Sequence, residues 1–187
     1  MEAVSETAPE SATSVLDRLC ATIPDYPEPG IVFRDLTPVF ADGKGLRTVV
    51  EALLAPFAGT FDVVAGVEAR GFLLAAAAAY ASGTGVVAVR KAGKLPRETF
   101  AQEYALEYGT ATLEIHRDDL PAGTRVLLLD DVLATGGTLA AAHTLFGRAG
   151  CEVVGIGVVL ELADLPGRER LTAAGIAPET VHALQKV

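Results

Sequence analysis

Val126-Leu127-Leu128-Leu129-Asp130-Asp131-Val132-Leu133-Ala134-Thr135-Gly136-Gly137-Thr138 changes character twice along its length. Arg125 to Leu129 is a continuous strand, apolar from Val126 on and without polar alternation, the pattern of a strand buried on both faces. Asp130 and Asp131 then bring two carboxylates to its end. The adjacent glycines Gly136 and Gly137 let backbone N–H groups converge, and Thr135 and Thr138 add hydroxyl donors. The spacing predicts a helix from about Thr138 to Arg148, whose positive N-terminus faces the same loop. A buried strand, an acidic rim, a glycine loop and a helix start together make a phosphate cradle. The lysine of the GxxxxGK[ST] nucleotide loop is missing. The two carboxylates stand where they can hold ribose hydroxyls, or a magnesium ion through water. Loop composition alone leaves an ordinary acidic strand-to-helix turn as the alternative.

Working outward, the same pattern recurs. Phe61 to Val67 is β-branched and ends in Glu68-Ala69-Arg70; Gly85 to Val89 ends in the basic run Arg90-Lys91-Ala92-Gly93-Lys94; Glu152 to Leu160 is a further strand. Gly71 to Ala81 is alanine-rich and predicts a helix between the first two. Non-alternating strands separated by helices predict a mostly parallel sheet covered on both faces. Such sheets bind ligands beyond the carboxyl ends of their strands, and here those ends carry Glu68, Arg70, Arg90, Lys91, Asp130 and Asp131. Ser14 suits an N-cap for a helix whose Leu16, Leu19, Cys20 and Ile23 share one face, ended by Pro24. Three prolines and a glycine exclude regular helix over 24–30, Ile31-Val32-Phe33 is extended, and Leu46 to Leu54 restores helical spacing up to Pro56. The polar stretch from Leu95 to Glu107 has few anchors and is expected to be a surface loop or lid.

The chain has 187 residues and 50% hydrophobic content, enough for one domain with its own core, and an acidic tail is expected over 1–13 before a single domain over 14–187. Net charge is -9, which argues against a nucleic-acid coat or a polybasic membrane patch. The two cysteines, Cys20 and Cys151, form no CxxC pair and fit a reduced, cytoplasmic setting. The first residues lack the basic start and apolar core of a signal peptide, and the nearly apolar run from Gly71 to Ala81 is too short to span a bilayer. His116, His143 and His182 lack metal-ligand spacing, and Gly83-Thr84-Gly85 stands on the wrong side of its helix for a dinucleotide fingerprint.

The string from Val126 to Thr138 resembles the signature of the type I phosphoribosyltransferases, which bind phosphoribosyl pyrophosphate (PRPP). Four further stretches resemble the adenine phosphoribosyltransferase branch of that family: residues 24–38, 66–72, 90–96 and 104–109, in the family's order. The resemblance covers residues 14–175 and implies an α/β fold with a central, mostly parallel sheet, helices on both faces and an N-terminal hood over roughly 24–40. It implies that Asp130 and Asp131 contact the ribose, and that Ala134, Thr135, Gly136, Gly137 and Thr138 hold the 5′-phosphate. Pyrophosphate falls to Arg70, Arg90, Lys91 and Lys94, part of this loop reaching across a dimer interface. Adenine falls to Val32, Phe33, Arg34 and Val132, and acid–base work at N7 of adenine to Glu107. Magnesium is expected as cofactor, carried by PRPP and water near Asp130 and Asp131 rather than held by tight protein ligands. The implied reaction joins the phosphoribosyl group of PRPP to N9 of adenine, giving AMP and pyrophosphate in a cytoplasmic homodimer. The rivals are a transferase for another base, such as xanthine or hypoxanthine, and a PRPP-sensing regulator without catalysis.

Overall fold

A computed structural model of the chain describes residues 10–105 and 109–187. It divides between Val49 and Val50 into two compact units.

In the first unit, α1 (Ala12–Leu19) starts earlier than Ser14 because Ser11 is the cap: its Oγ accepts the Ser14 N–H at 3.2 Å. Residues 12 and 13, expected in the tail over 1–13, are helical. Helix α1 also ends before Pro24. Residues Ala21–Pro24 form β1 instead, paired antiparallel with β2 (Val32–Asp35) in the register Ile23↔Phe33. The turn between them is tied by Asp25 Oδ1, which accepts the Gly30 N–H at 2.7 Å, and by the edge-on contact of Tyr26 with Phe33 at 5.3 Å. A short α2 (Thr37–Ala41) follows, and α3 (Gly43–Leu54) carries the chain into the second unit.

The second unit is built on seven strands: β3 (Val63–Val67), β4 (Gly85–Lys91), β5 (Thr99–Ala105), β6 (Thr110–His116), β7 (Arg125–Leu133), β8 (Glu152–Glu161) and β9 (Val181–Lys186). Their order across the sheet is β5-β6-β4-β3-β7-β8-β9. Strands β4, β3, β7, β8 and β9 run parallel, while β5 and β6 form an antiparallel hairpin at one edge. The helices are α4 (Gly71–Ser82), α5 (Gly137–Arg148) and α6 (Gly167–Ala173).

Central strand β7 explains the fold's stability: Val126, Leu127, Leu128 and Leu129 are fully buried, each contributing roughly 1.5–3 kcal/mol. Successive residues face opposite ways. Val63, Ala65, Val126 and Leu128 join a core with Leu139, Ala142, Leu145 and Phe146, one face of α5. Gly66 faces the other way, against α4. A Cβ there would stand 2.7 Å from the Ala75 Cβ and would collide with the Gly71 carbonyl, so α4 can lie on β3 only above a glycine. Gly155 similarly makes room for the Phe57 ring.

Two expectations change here. Strand β7 runs on through Asp130 and Asp131, because Asp130 pairs with Val158 and Leu133 with Glu161 of β8. The stretch expected to be a loop between Leu95 and Glu107 contains β5, paired along its length from Thr99↔His116 to Ala105↔Thr110. Strand β9 and helix α6 were not foreseen.

Candidate active site

Three strand ends deliver the functional groups of the second unit. After β3, Arg70 takes the N-cap position of α4, and its Nε lies 2.6 Å from Asp131 Oδ2. Both Asp130 and Asp131 stand on β7. Arg70, Lys91, Asp130, Asp131 and Thr138 line one cleft of about 470 Å³, with Glu68 and Tyr104. A smaller cavity of about 70 Å³ opens beside it, formed by Asp130 and residues 132–139. The Thr138 hydroxyl meets the Tyr104 hydroxyl at 3.4 Å.

The glycine loop is held from behind. Gly136 caps α5 with φ at +78°, the left-handed region that glycine enters without steric cost. A Cβ there would stand 2.6 Å from the Gly167 carbonyl, and a Cβ on Gly167 would collide with the Ala134 carbonyl. The loop and α6 are thus packed backbone against backbone. The Arg170 guanidinium lies against Gly137 and donates to the Ala105 carbonyl at 3.3 Å.

The basic loop has an acidic centre. Glu68 Oε2 accepts the Lys91 N–H at 3.0 Å and Arg90 Nε at 3.3 Å, and Oε1 accepts Lys94 Nζ. These donors, Lys94 foremost, hold the Glu68 carboxyl down to about 2. Asp130 is pushed the other way, well above the usual carboxylate range, by its burial and by the neighbouring charge of Asp131.

The structure thus gathers most of the residues singled out in the sequence. Arg70, Lys91, Asp130, Asp131 and Thr138 share the cleft; Val132 and residues 134–137 line the adjoining cavity; Arg90 and Lys94 meet at Glu68. Val32, Phe33 and Arg34 belong to the first unit, on β2, where Val32 is exposed and Arg34 donates to Thr22 Oγ1 at 3.0 Å. Glu107 lies outside the described residues. Sequence reasoning placed Glu68 on the rim but missed its role, and it missed Tyr104 and Arg170. A carboxylate at a strand end facing a cationic run was the available signal for Glu68.

Residues 41–173 match the phosphoribosyl transferase domain family. An adenine phosphoribosyltransferase of Renibacterium salmoninarum is 72% identical over 167 residues, covering 89% of this chain and 92% of that protein. The crystal structure of adenine phosphoribosyltransferase from Rhodothermus marinus superposes with a TM-score of 0.85 at 47% identity, covering 94% of this chain and 98% of that one. The Saccharomyces cerevisiae adenine phosphoribosyltransferase, complexed with adenine and an imino-altritol bisphosphate, gives a TM-score of 0.85 at 36% identity, covering 93% of this chain and 98% of that one. With that family model spanning residues 41–173 and relatives of this identity covering most of both chains, the chain belongs to the adenine phosphoribosyltransferases of the phosphoribosyl transferase domain family.

Proposed function

We propose that the protein salvages adenine, transferring the 5-phosphoribosyl group of PRPP to N9 of the base. The observation that carries this reading is the cleft itself, where a glycine-and-hydroxyl cradle and a cationic rim flank two carboxylates. The cradle of residues 134–138 takes the 5′-phosphate through backbone N–H and threonine hydroxyls. Asp130 and Asp131 take the ribose hydroxyls. Arg70, Arg90, Lys91 and Lys94 offset the charge that the pyrophosphate group already carries in bound PRPP and keeps as the bond to C1′ breaks. The bond from N9 to C1′ forms on the opposite face, so the anomeric centre inverts. Holding both ends of PRPP fixes C1′ for that attack.

Val32, Phe33, Arg34 and Val132 are the adenine contacts in this reading, and Glu107 manages the proton at N7. The donor set suits magnesium brought in by pyrophosphate. Asp131 is already engaged by Arg70, Asp130 Oδ1 accepts the Asp131 N–H at 2.9 Å, and no group of three or more His, Cys, Asp or Glu among the described residues can hold an ion. Asp130 and Asp131 would reach the ion through ribose and water, and it would neutralise the leaving group.

A homodimer belongs to this reading through the family alone; Leu73 and Tyr80 on α4 are 54% and 92% exposed. No helix among the described residues is long and apolar enough to cross a membrane, and Cys20 and Cys151 are free thiols, which fits a cytoplasmic setting.

The test is pyrophosphate release from Mg²⁺-PRPP with adenine, hypoxanthine, guanine or xanthine. Turnover with adenine alone is expected. Turnover with another base would overturn the assignment of Val32–Arg34, and PRPP binding without turnover on any base would favour a regulator.

A further inference from the structure

Glu68 is a carboxylate inside a site read as receiving pyrophosphate. It lines the same cleft as Arg70 and Lys91, and its side chain is only 11% exposed. An anion there repels the substrate group, so its presence needs a compensating role. The geometry shows one. Its two oxygens divide the basic loop between them: Oε2 takes the Lys91 N–H and Arg90 Nε, and Oε1 takes Lys94 Nζ. The loop backbone has two further anchors, the Thr112 carbonyl accepting the Ala92 N–H at 3.0 Å and Glu114 Oε2 accepting the Gly93 N–H at 3.0 Å. The backbone of 91–93 is therefore fixed from three sides.

We infer that Glu68 is a resident counter-anion for the basic loop: it keeps Lys94 and Arg90 gathered at the cleft, and pyrophosphate must take Lys94 from it on binding and return it on leaving. Glu68 is in these terms a positioning residue that also sets how tightly pyrophosphate is held. Its carboxyl, held down to about 2, stays charged throughout the neutral range, so the exchange is always on. This rests on the assignment of the basic loop to pyrophosphate.

The two ideas separate in calorimetric titrations of inorganic pyrophosphate in Mg²⁺. Glu68→Gln keeps an oxygen for the Lys91 N–H and removes the charge; pyrophosphate binding is expected to tighten by about tenfold. AMP affinity should be unchanged, and kcat should fall as pyrophosphate leaves more slowly. Glu68→Asp, which restores the charge, should return affinity toward the parent value; this controls for a merely structural effect. In a Lys94→Ala background the gain from Glu68→Gln should shrink. Unchanged or weaker binding in Glu68→Gln would overturn the exchange and leave Glu68 a scaffold. Lys94→Ala binding pyrophosphate as tightly as the parent would instead overturn the assignment of the loop, and the exchange with it.

Discussion

The basic rim of Glu68, Arg90, Lys91 and Lys94 and the glycine rim of residues 134–138 stand at the ends of parallel strands of one sheet, and in the proposed function they meet negative charge by opposite means. On the basic rim, formal cations are gathered on a carboxylate that they keep ionised. On the glycine rim there is no formal cation in residues 134–138, only N–H groups and hydroxyls at a helix start, and the nearby half-buried Asp130 is pushed toward its neutral form. Two acidic residues, Glu68 just past the end of β3 and Asp130 on the neighbouring β7, thus acquire opposite tendencies from their surroundings. One rim works by charge that can change partners, the other by backbone shape that cannot.

If this contrast is sound, the largest loss comes from touching shape. Gly136→Ala forces a side chain into a left-handed position and against the Gly167 carbonyl. It should lower kcat/KM for PRPP by roughly a thousandfold, the upper range for losing preorganised donors, as steady-state assays would show. A loss below tenfold would mean the loop yields easily and the rims are not so different. Touching charge should cost less. Lys94→Ala should raise KM for PRPP by about tenfold with kcat within about twofold, the mark of an interaction made equally in ground and transition states. A matching fall in kcat would place Lys94 in the transition state instead.

The smallest effect concerns stability. The Asp130 carboxyl is raised above its ordinary 3.8 on folding, so the folded protein holds its proton to higher pH than the unfolded chain does. Stability therefore falls as pH rises through that window. Asp130→Asn, which cannot ionise, should be more stable than the parent by about 1 kcal/mol at pH 7, with the difference closing below pH 3.8. Urea unfolding at the two pH values decides it, and a destabilised variant would mean that the charge is satisfied in place.

The thirteen-residue stretch from Val126 to Thr138 carried most of what could be foreseen. Its unbroken apolar run could only be a buried strand, and the glycines and threonines fixed the turn into α5. What escaped notice lies at the margins of the sheet. Strand β5 alternates half-buried and exposed residues, a weak signal in polar sequence, and it exists because β6 pairs with it. The prolines near residue 24 hid β1, since its pairing with β2 places Pro24 at the strand's last position. Glu68 lies 26 residues from Lys94, so only the parallel pairing of β3 with β4 brings them together. Individual residue types were legible; partnerships made across the sheet were not.

The backbone-to-backbone seating of the glycine loop on α6 also limits how the protein can be altered. Where a pocket is walled by side chains, a smaller residue enlarges it. Between Gly136 and Gly167 there is nothing left to trim. A redesign for a bulkier 5′ group would have to displace a whole helix, so room for new chemistry is better sought at the basic rim, where side chains do the holding.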